Sequence, residues 1–153
     1  MQPLWQQGEL VDDFRLEESL PLATTATFWR VSRANEPGRM LMKVPRLGAN
    51  PSNIVAFEAE QMILAKLSGP HVPRFVASGS IENPYIVMEM IEGETMRPLI
   101  ESLPLPFDKV AALGAKIAAA LDAIHRQHVV HLDLKPSNVM LRASGEAVLI
   151  DFG

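Results

Sequence analysis

The sequence predicts an α+β fold, in which a five-stranded antiparallel sheet with one helix precedes a mainly helical region. Two observations support this order of elements. The first half of the chain contains short runs of strand character separated by turn residues. In the second half, apolar residues recur at intervals of three and four over residues 107–127, which is typical of a long helix with a buried face.

The first half of the chain is interpreted as a leader, residues 1–13, followed by a lobe at 14–92. Its five strands are predicted at residues 14–20, 27–33, 39–44, 73–78 and 84–90. The sequence ANEPG at 34–38 provides a turn between the second and third strands. Helical spacing over residues 53–67 predicts the helix that separates the third strand from the fourth.

The second lobe is predicted to begin at Gly93, where the composition becomes polar, and to occupy residues 93–153. A short helix is expected near 95–102, before the long helix at 107–127. Two short strands follow, in HVVHLDLKPSNVML and in AVLIDFG, and the sequence ASGE at 143–146 forms the turn between them.

Composition excludes several classes of function. A net charge of −4 provides no basic footprint for nucleic acid or for anionic lipid. The absence of cysteine excludes disulfides and thiolate metal sites, and it suits a cytoplasmic location. The N-terminus lacks the pattern of a signal peptide, and no apolar run approaches the roughly 18 residues that a membrane helix needs. We therefore expect a soluble chain without membrane contact.

Three oxygen-bearing side chains lie in the two polar loops near the end of the chain: Asp133, Asn138 and Asp151. Each of them alone has an ordinary interpretation as a turn former. Together they are harder to explain in this way, because an unpaired acid beside apolar runs is costly unless a cation or hydrogen-bond donors meet it. Carboxylate and amide oxygens suit Mg²⁺, which is usually held together with substrate phosphates. The sequence therefore predicts a magnesium and nucleotide site.

Lys43 and Glu60 are predicted to form an internal ion pair. Strand alternation places Lys43 on the same face as Leu41, opposite Met40, Met42 and Val44. Glu60 lies within the apolar stripe of the helix, and a carboxylate on a buried face needs a partner. Glu58, in contrast, lies on a flank of that helix. Lys43 is the best candidate for the partner, and the pair would fix the lysine so that it can hold phosphate oxygens.

With these motifs the chain resembles serine/threonine protein kinases of the bacterial type, in their N-terminal part up to the DFG triplet. HLDLKPSN at 131–138 is similar to the kinase catalytic loop, and DFG at 151–153 is similar to the metal-binding triplet. The strand lysine and the helix glutamate match the ion pair of the family. The resemblance covers nearly everything from Phe14 onward, and it implies a protein kinase-like fold whose C-lobe is incomplete.

The resemblance also implies a role for each site residue. Asp133 would accept the proton of the substrate hydroxyl, and Lys135 would steady the transferred phosphoryl group. Asn138 and Asp151 would bind Mg²⁺, whereas Lys43, held by Glu60, would hold the phosphates of ATP. His131 would brace the metal-binding triplet. The residues that would surround the nucleotide are Leu20, Ala23, Phe28, Leu41, Met88, Glu89, Ile91 and Met140.

Three departures from the family pattern affect these expectations. The glycine-rich loop falls on PLATTA at 21–26, where its glycines are replaced by proline and alanines that restrict the backbone. Phe28 and Leu41 stand where the family has smaller residues, which predicts a crowded adenine slot. Leu132 replaces the arginine that reads an activation-loop phosphate. Because the chain stops at the DFG triplet, we also expect it to be marginally stable and poorly active by itself.

Two alternatives to a protein kinase acting on serine or threonine hydroxyls remain open. A small-molecule phosphotransferase of the aminoglycoside or choline kinase kind would share Asp133, Asn138 and Asp151, but Lys135 favours the protein kinases. A pseudokinase that binds partners without catalysis is favoured by the altered loop and by Leu132. The retained Lys43 and the carboxylates argue against it.

Overall fold

An antiparallel sheet of six strands, in the order β1-β2-β3-β4-β6-β5, organises the first part of the chain. The computed structural model describes residues 5–23, 25–46, 48 and 50–153. These residues form two compact units. The first unit contains the described residues up to 62 together with 75–90 and 153, and the second contains 63–74 and 91–152.

The five predicted strands are present, and a sixth precedes them. Their bounds are β1 Leu10–Val11, β2 Phe14–Leu20, β3 Ala26–Arg33, β4 Glu36–Pro45, β5 Phe75–Ser78 and β6 Ile86–Glu89. The predicted turn at 34–38 is shorter in the structure, because Arg33 and Glu36 already pair across the hairpin. Asn35 has a φ of 63°, a left-handed conformation that asparagine tolerates in tight turns.

The segment interpreted as a leader contributes to the sheet. Leu10–Val11 pairs antiparallel with β2, and Trp5 packs against the hydrophobic core. The Tyr85 hydroxyl donates a hydrogen bond to Asp12. Burial, reinforced by this bond, raises the pKa of Tyr85 above its ordinary value. Residues 5–13 are therefore tied to the first unit, while residues 1–4 lie outside the described part of the chain.

The two faces of the sheet differ in character. One face carries a buried cluster that includes Trp29, Val31, Met40, Met42 and Val44. Because side chains alternate along a strand, the other face receives the residues between them. The alternation predicted for β4 is therefore present, with the methionines in the core and Lys43 on the opposite face.

One helix, α1, spans Pro51–Lys66. Phe57, Glu60 and Leu64 are all buried, and their spacing of three and four residues places them on one face of the helix. Glu58 is exposed on α1, as its position on the flank of the stripe predicts. The helix thus contains a carboxylate within its buried stripe.

The second unit contains one long helix and a small hairpin. Its elements are a 3-10 helix at Arg97–Ser102, α2 at Phe107–His125, a 3-10 turn at Pro136–Asn138, β7 at Val139–Leu141 and β8 at Ala147–Leu149. The predicted short helix is thus a 3-10 helix, and α2 ends two residues earlier than expected. The hairpin turn has Gly145 at a φ of 99°, a conformation that favours glycine. Within the described residues, no helix is both long enough and apolar enough to span a membrane.

Candidate active site

Lys43 lies near the end of β4, directly opposite Phe28 on β3 and Ile86 on β6. Residues that pair directly across a sheet share a face, so these three side chains form one row. The neighbouring row contains Leu41, which pairs with Arg30 and with Met88. The lysine therefore projects from a sheet face that is otherwise largely apolar.

The Lys43 ammonium forms an ion pair with the Glu60 carboxylate of α1. The exposed fraction is 14% for the lysine side chain and 3% for the glutamate side chain. Two charges so far removed from water are tolerated when each compensates the other. The predicted partner of Lys43 is therefore in place, and the pair fixes the lysine on its sheet face.

The remaining nucleotide residues predicted in the first unit lie on the same sheet or beside it. Leu20 pairs with Phe28, which extends the row that contains Lys43. Met88 is buried, whereas Leu20, Phe28 and Leu41 are half-buried. Glu89 ends β6, opposite Met40, and the next amide, that of Met90, donates to the Arg39 carbonyl at 3.0 Å. This face thus offers a partly open apolar surface next to a fixed cation.

The loop that corresponds to PLATTA is exposed at its described positions Pro21, Ala23 and Thr25, while Thr24 lies outside the described residues. Ala26 begins β3 and is buried. Pro21 and Ala23 therefore fall on the connection between β2 and β3, and Ala26 is the first residue of β3. The backbone there lacks the freedom that three glycines would provide.

In the second unit, direct contacts hold together three polar residues of one loop, Asp133, Lys135 and Asn138. The Asn138 amide nitrogen donates to the Asp133 carbonyl at 2.9 Å and to its carboxylate at 3.2 Å. Lys135 Nζ lies 3.2 Å from the same carboxylate. Asn138 is buried, whereas the other two side chains are each 52% exposed. The asparagine thus anchors a carboxylate and an ammonium that remain accessible.

His131 connects this loop to the segment before the DFG triplet. Its Nε2 donates to the Ile150 carbonyl at 2.7 Å, and its Nδ1 accepts the Asp133 amide at 3.2 Å. The two ring nitrogens thus bond to the backbone on both sides of the site, one to each polar loop. The ring also lies 4.8 Å, centroid to centroid, from that of Phe152. These contacts match the bracing position expected for His131.

Asp151 follows β8 directly and is exposed. The Ile150 amide donates to the Asn138 carbonyl at 3.0 Å, which joins the two loops at their bases. Asp151 and Leu132 have φ values of 63° and 68°. Left-handed backbone is uncommon for residues other than glycine, and it concentrates at functional sites. Both polar loops therefore contain a conformation that the surrounding structure must stabilise.

The donor set around Asn138 fits a magnesium site. The nitrogen of the Asn138 amide is engaged by Asp133, so the oxygen is the atom of this side chain that can act as a metal ligand. Mg²⁺ is commonly held by one or two carboxylates together with substrate phosphates. No cluster of three or more His, Cys, Asp or Glu suited to a metal occurs among the described residues. Asn138 and Asp151, the two residues predicted to bind Mg²⁺, carry oxygen atoms of the kind that this ion prefers.

Ile91 and Met140 complete the predicted nucleotide residues, and both belong to the second unit. Ile91 is buried, and Met140 is half-buried in β7. Met140 forms an isolated bridge with Thr95, which ties the residues after Ile91 to the hairpin of this unit.

A separate depression of about 570 Å³ lies in the first unit. It is lined by Asp12, Asp13, Arg15 and Arg33 among others, and none of the predicted site residues lines it.

One contact was not foreseen from the sequence. The Lys43 ammonium lies 5.8 Å from the centroid of the Phe28 ring. Phe28 was predicted only as a bulky neighbour of the nucleotide. The signal that could have revealed the contact is the strand register, which places the two residues directly opposite each other.

Comparison with solved structures defines the class of fold. The chain is similar to the PknI kinase domain of Mycobacterium tuberculosis, with a TM-score of 0.78 and 24% sequence identity. The alignment covers 97% of this chain and 62% of that one. A kinase-domain fold therefore accounts for nearly all of the present chain, as the sequence predicted.

The sequence itself assigns the family. Residues 30–153 match the model of the protein kinase domain, and the chain belongs to this family. The match begins at Arg30, after the segment in which the glycines are replaced. The matched range includes Lys43, α1 and the two polar loops.

Curated relatives agree with this assignment. The chain is 34% identical to the serine/threonine-protein kinase PkaA of Streptomyces coelicolor over 160 residues, which cover 92% of this chain and 29% of the relative. It is also 34% identical to the probable serine/threonine-protein kinase CPE1738 of Clostridium perfringens, over 68% of this chain and 16% of the relative. The chain thus spans less than a third of the length of either relative.

Proposed function

We propose that this chain carries the nucleotide-binding and catalytic-loop residues of an enzyme that transfers phosphate from ATP to serine or threonine hydroxyls of proteins. The contacts of Asp133 with Lys135 and Asn138 carry the proposal. They present a carboxylate that can accept a proton beside an ammonium that can neutralise a moving phosphoryl group. The names of the relatives, which are serine/threonine kinases, support the substrate class.

Each charged residue has a defined task in this proposal. Asp133 accepts the proton of the attacking hydroxyl, and Lys135 stabilises the transferred phosphoryl group. Lys43, held by Glu60, binds the phosphates of ATP. Asn138 and Asp151 hold Mg²⁺, which supplies positive charge to the phosphate oxygens when it is bound.

The resemblance to protein kinases assigns the apolar residues of the proposal to the base of ATP. Leu20, Phe28, Leu41 and Met88 lie on one sheet face of the first unit, and Ile91 and Met140 belong to the second unit. Residues 14–92 would form the N-lobe and hinge, and residues 93–153 the start of the C-lobe. Because ATP is the phosphate donor and the chain lacks cysteine, we place the reaction in the cytoplasm.

We also propose that Mg-ATP binds weakly. The loop at 21–26 contains proline and alanine where glycine would let the backbone approach a phosphate. Phe28 and Leu41 add bulk on the face proposed for adenine. A titration of the chain with Mg-ATP tests this directly, and a micromolar dissociation constant would contradict it.

The decisive experiment measures transfer of labelled phosphate from ATP to peptides that contain serine or threonine. Transfer by the unsubstituted chain and its loss in Asp133→Asn would support catalysis. A pseudokinase is the second candidate, favoured by the altered loop at 21–26, by Leu41 and by Leu132. It would bind partners but show no transfer above that of the Asp133→Asn variant.

Activity should not depend on a phosphorylated activation loop. Leu132 occupies the position from which an arginine would read such a phosphate, and its side chain is 90% exposed and uncharged. A leucine offers no donor to a phosphate. A many-fold rise of activity on phosphorylation of the segment that follows DFG in a longer form of the protein would count against this proposal.

The chain by itself is proposed to be poorly active because α2 is incompletely covered. Phe107 is 87% exposed and Val110 is 50% exposed, although both are apolar. Bare apolar helix faces contribute little to stability and promote association. A thermal melt should show a low and broad transition, and a cooperative melt of the monomer at high temperature would contradict this expectation.

A further inference from the structure

The Lys43 ammonium has an aromatic neighbour in addition to its carboxylate partner. Phe28 lies directly opposite Lys43 in the register of β3 and β4, and the ring centroid is 5.8 Å from the lysine Nζ. A cation within about 6 Å of an aromatic face is attracted by the quadrupole of the ring. The ammonium is thus in contact with the Glu60 carboxylate and with the Phe28 ring.

The surroundings of Lys43 increase the importance of this contact. The lysine side chain is only 14% exposed, and the attraction between a cation and a ring is stronger when the cation is removed from water. Lysine has a long flexible stem, so each additional contact narrows the positions that its ammonium can occupy. The Glu60 carboxylate compensates the charge of the Lys43 ammonium, and the Phe28 ring restricts the direction in which the lysine side chain points.

We propose that Phe28 is a positioning residue that holds the Lys43 ammonium where it binds the phosphates of ATP. This role rests on the proposed function of Lys43. It also gives a reason for a large aromatic side chain on a face that should accept a nucleotide. Since the loop at 21–26 lacks glycine, few backbone contacts to phosphate are available there, and a fixed lysine becomes more important.

A different role for Phe28 would be simple packing against adenine. The two roles predict different ligand dependence. A ring that packs against the base affects adenosine and ATP alike, because both carry the base. A ring that also positions Lys43 affects ATP more than adenosine, because adenosine has no phosphate for the lysine to bind.

The experiment is an NMR titration of the 153-residue chain with adenosine and, separately, with Mg-ATP. Phe28→Leu removes the aromatic face but remains apolar, and we expect it to raise the dissociation constant of Mg-ATP by about 2- to 30-fold. The dissociation constant of adenosine should rise by a smaller factor than that of Mg-ATP, because adenosine lacks the phosphates that Lys43 binds. Phe28→Tyr keeps the ring and should restore most of the affinity for Mg-ATP.

A second substitution tests whether the effect passes through the lysine. In a Lys43→Met background, Phe28→Leu should have no further effect on Mg-ATP, because the two residues then no longer interact. In the unsubstituted chain without ligand, the ε-methylene protons of Lys43 should be shifted upfield by the ring. That shift is measurable even if Phe28→Leu fails to fold, and its absence would overturn the proposed contact.

The outcomes separate this role from the proposed function. Equal losses for adenosine and Mg-ATP, or a loss that persists in the Lys43→Met background, would overturn the role of Phe28 and leave ATP binding intact. Failure of the unsubstituted chain to bind either ligand would overturn the proposed function, and with it the role that depends on it.

Discussion

Two ion pairs among the predicted functional residues, one in each unit, differ in their contact with water. Lys43 and Glu60 are 14% and 3% exposed, whereas Lys135 and Asp133 are each 52% exposed. A buried pair is costly to break because the remaining charge is left in a medium of low polarity. An exposed pair contributes little to stability, since water competes for both partners. The first pair is therefore suited to fixing a position, and the second to exchanging partners with a substrate.

The largest expected effect is on catalysis by the exposed pair. Asp133→Asn should lower phosphate transfer by about 10²- to 10⁴-fold, because an amide cannot accept the hydroxyl proton. The free energy of unfolding should change by less than about 0.5 kcal/mol, as for other surface positions. Labelled phosphate transfer and urea denaturation measure the two quantities. Asp122→Asn, in the exposed pair with Arg126 on α2, is the matched control and should affect neither.

Breaking the buried pair should affect stability most. Glu60→Gln keeps the size of the side chain but removes the carboxylate, and we expect the free energy of unfolding to fall by about 3–5 kcal/mol. Glu58→Gln changes an exposed glutamate of the same helix and should alter it by less than about 0.5 kcal/mol. Equal values for the two variants in urea denaturation would show that the buried pair has no special importance.

Asn138 is buried, although it holds the exposed pair of Asp133 and Lys135 in place. Asn138→Ala removes the donor to the Asp133 carbonyl and should reduce the free energy of unfolding by about 1–3 kcal/mol. Ser137→Ala, at the neighbouring half-buried position, serves as control and should have a smaller effect. Equal free energies of unfolding for the two variants in urea denaturation would show that Asn138 does not organise the loop.

The smallest expected effect concerns Lys135. Lys135→Gln should reduce the free energy of unfolding by at most about 1 kcal/mol at low ionic strength. Salt screens exposed charges, so the difference from the unsubstituted chain should disappear as salt approaches 1 M. Urea denaturation at both salt concentrations provides the test. A difference in the free energy of unfolding that persists at about 1 M salt would contradict the assignment of Lys135 and Asp133 as an exposed pair.

The buried pair could be predicted from the sequence because it depends on local periodicity. Strand alternation set the face of Lys43, and the apolar stripe of α1 set the burial of Glu60. Each pattern needs only a few neighbouring residues. The tasks assigned to the pair and to Asp133, Asn138 and Asp151 remain predictions that the proposed substitutions test.

Other features depend on distant parts of the chain and left no local signal. Leu10–Val11 is too short to show alternation, and its pairing relies on contacts such as that of Asp12 with Tyr85. The Phe28–Lys43 contact requires the register of two strands to be known. The 3-10 geometry at Arg97–Ser102 is likewise not encoded by apolar spacing, because the helix has no buried residue.

The backbone of Leu132 has a consequence for the behaviour of the loop at 131–138. A left-handed conformation costs an ordinary side chain roughly 1–2 kcal/mol, and this leucine recovers little by burial. Relaxation of that single residue would turn the preceding histidine and the following aspartate away from each other. The loop should therefore be among the first segments to open in hydrogen exchange, and glycine at this position would slow its opening.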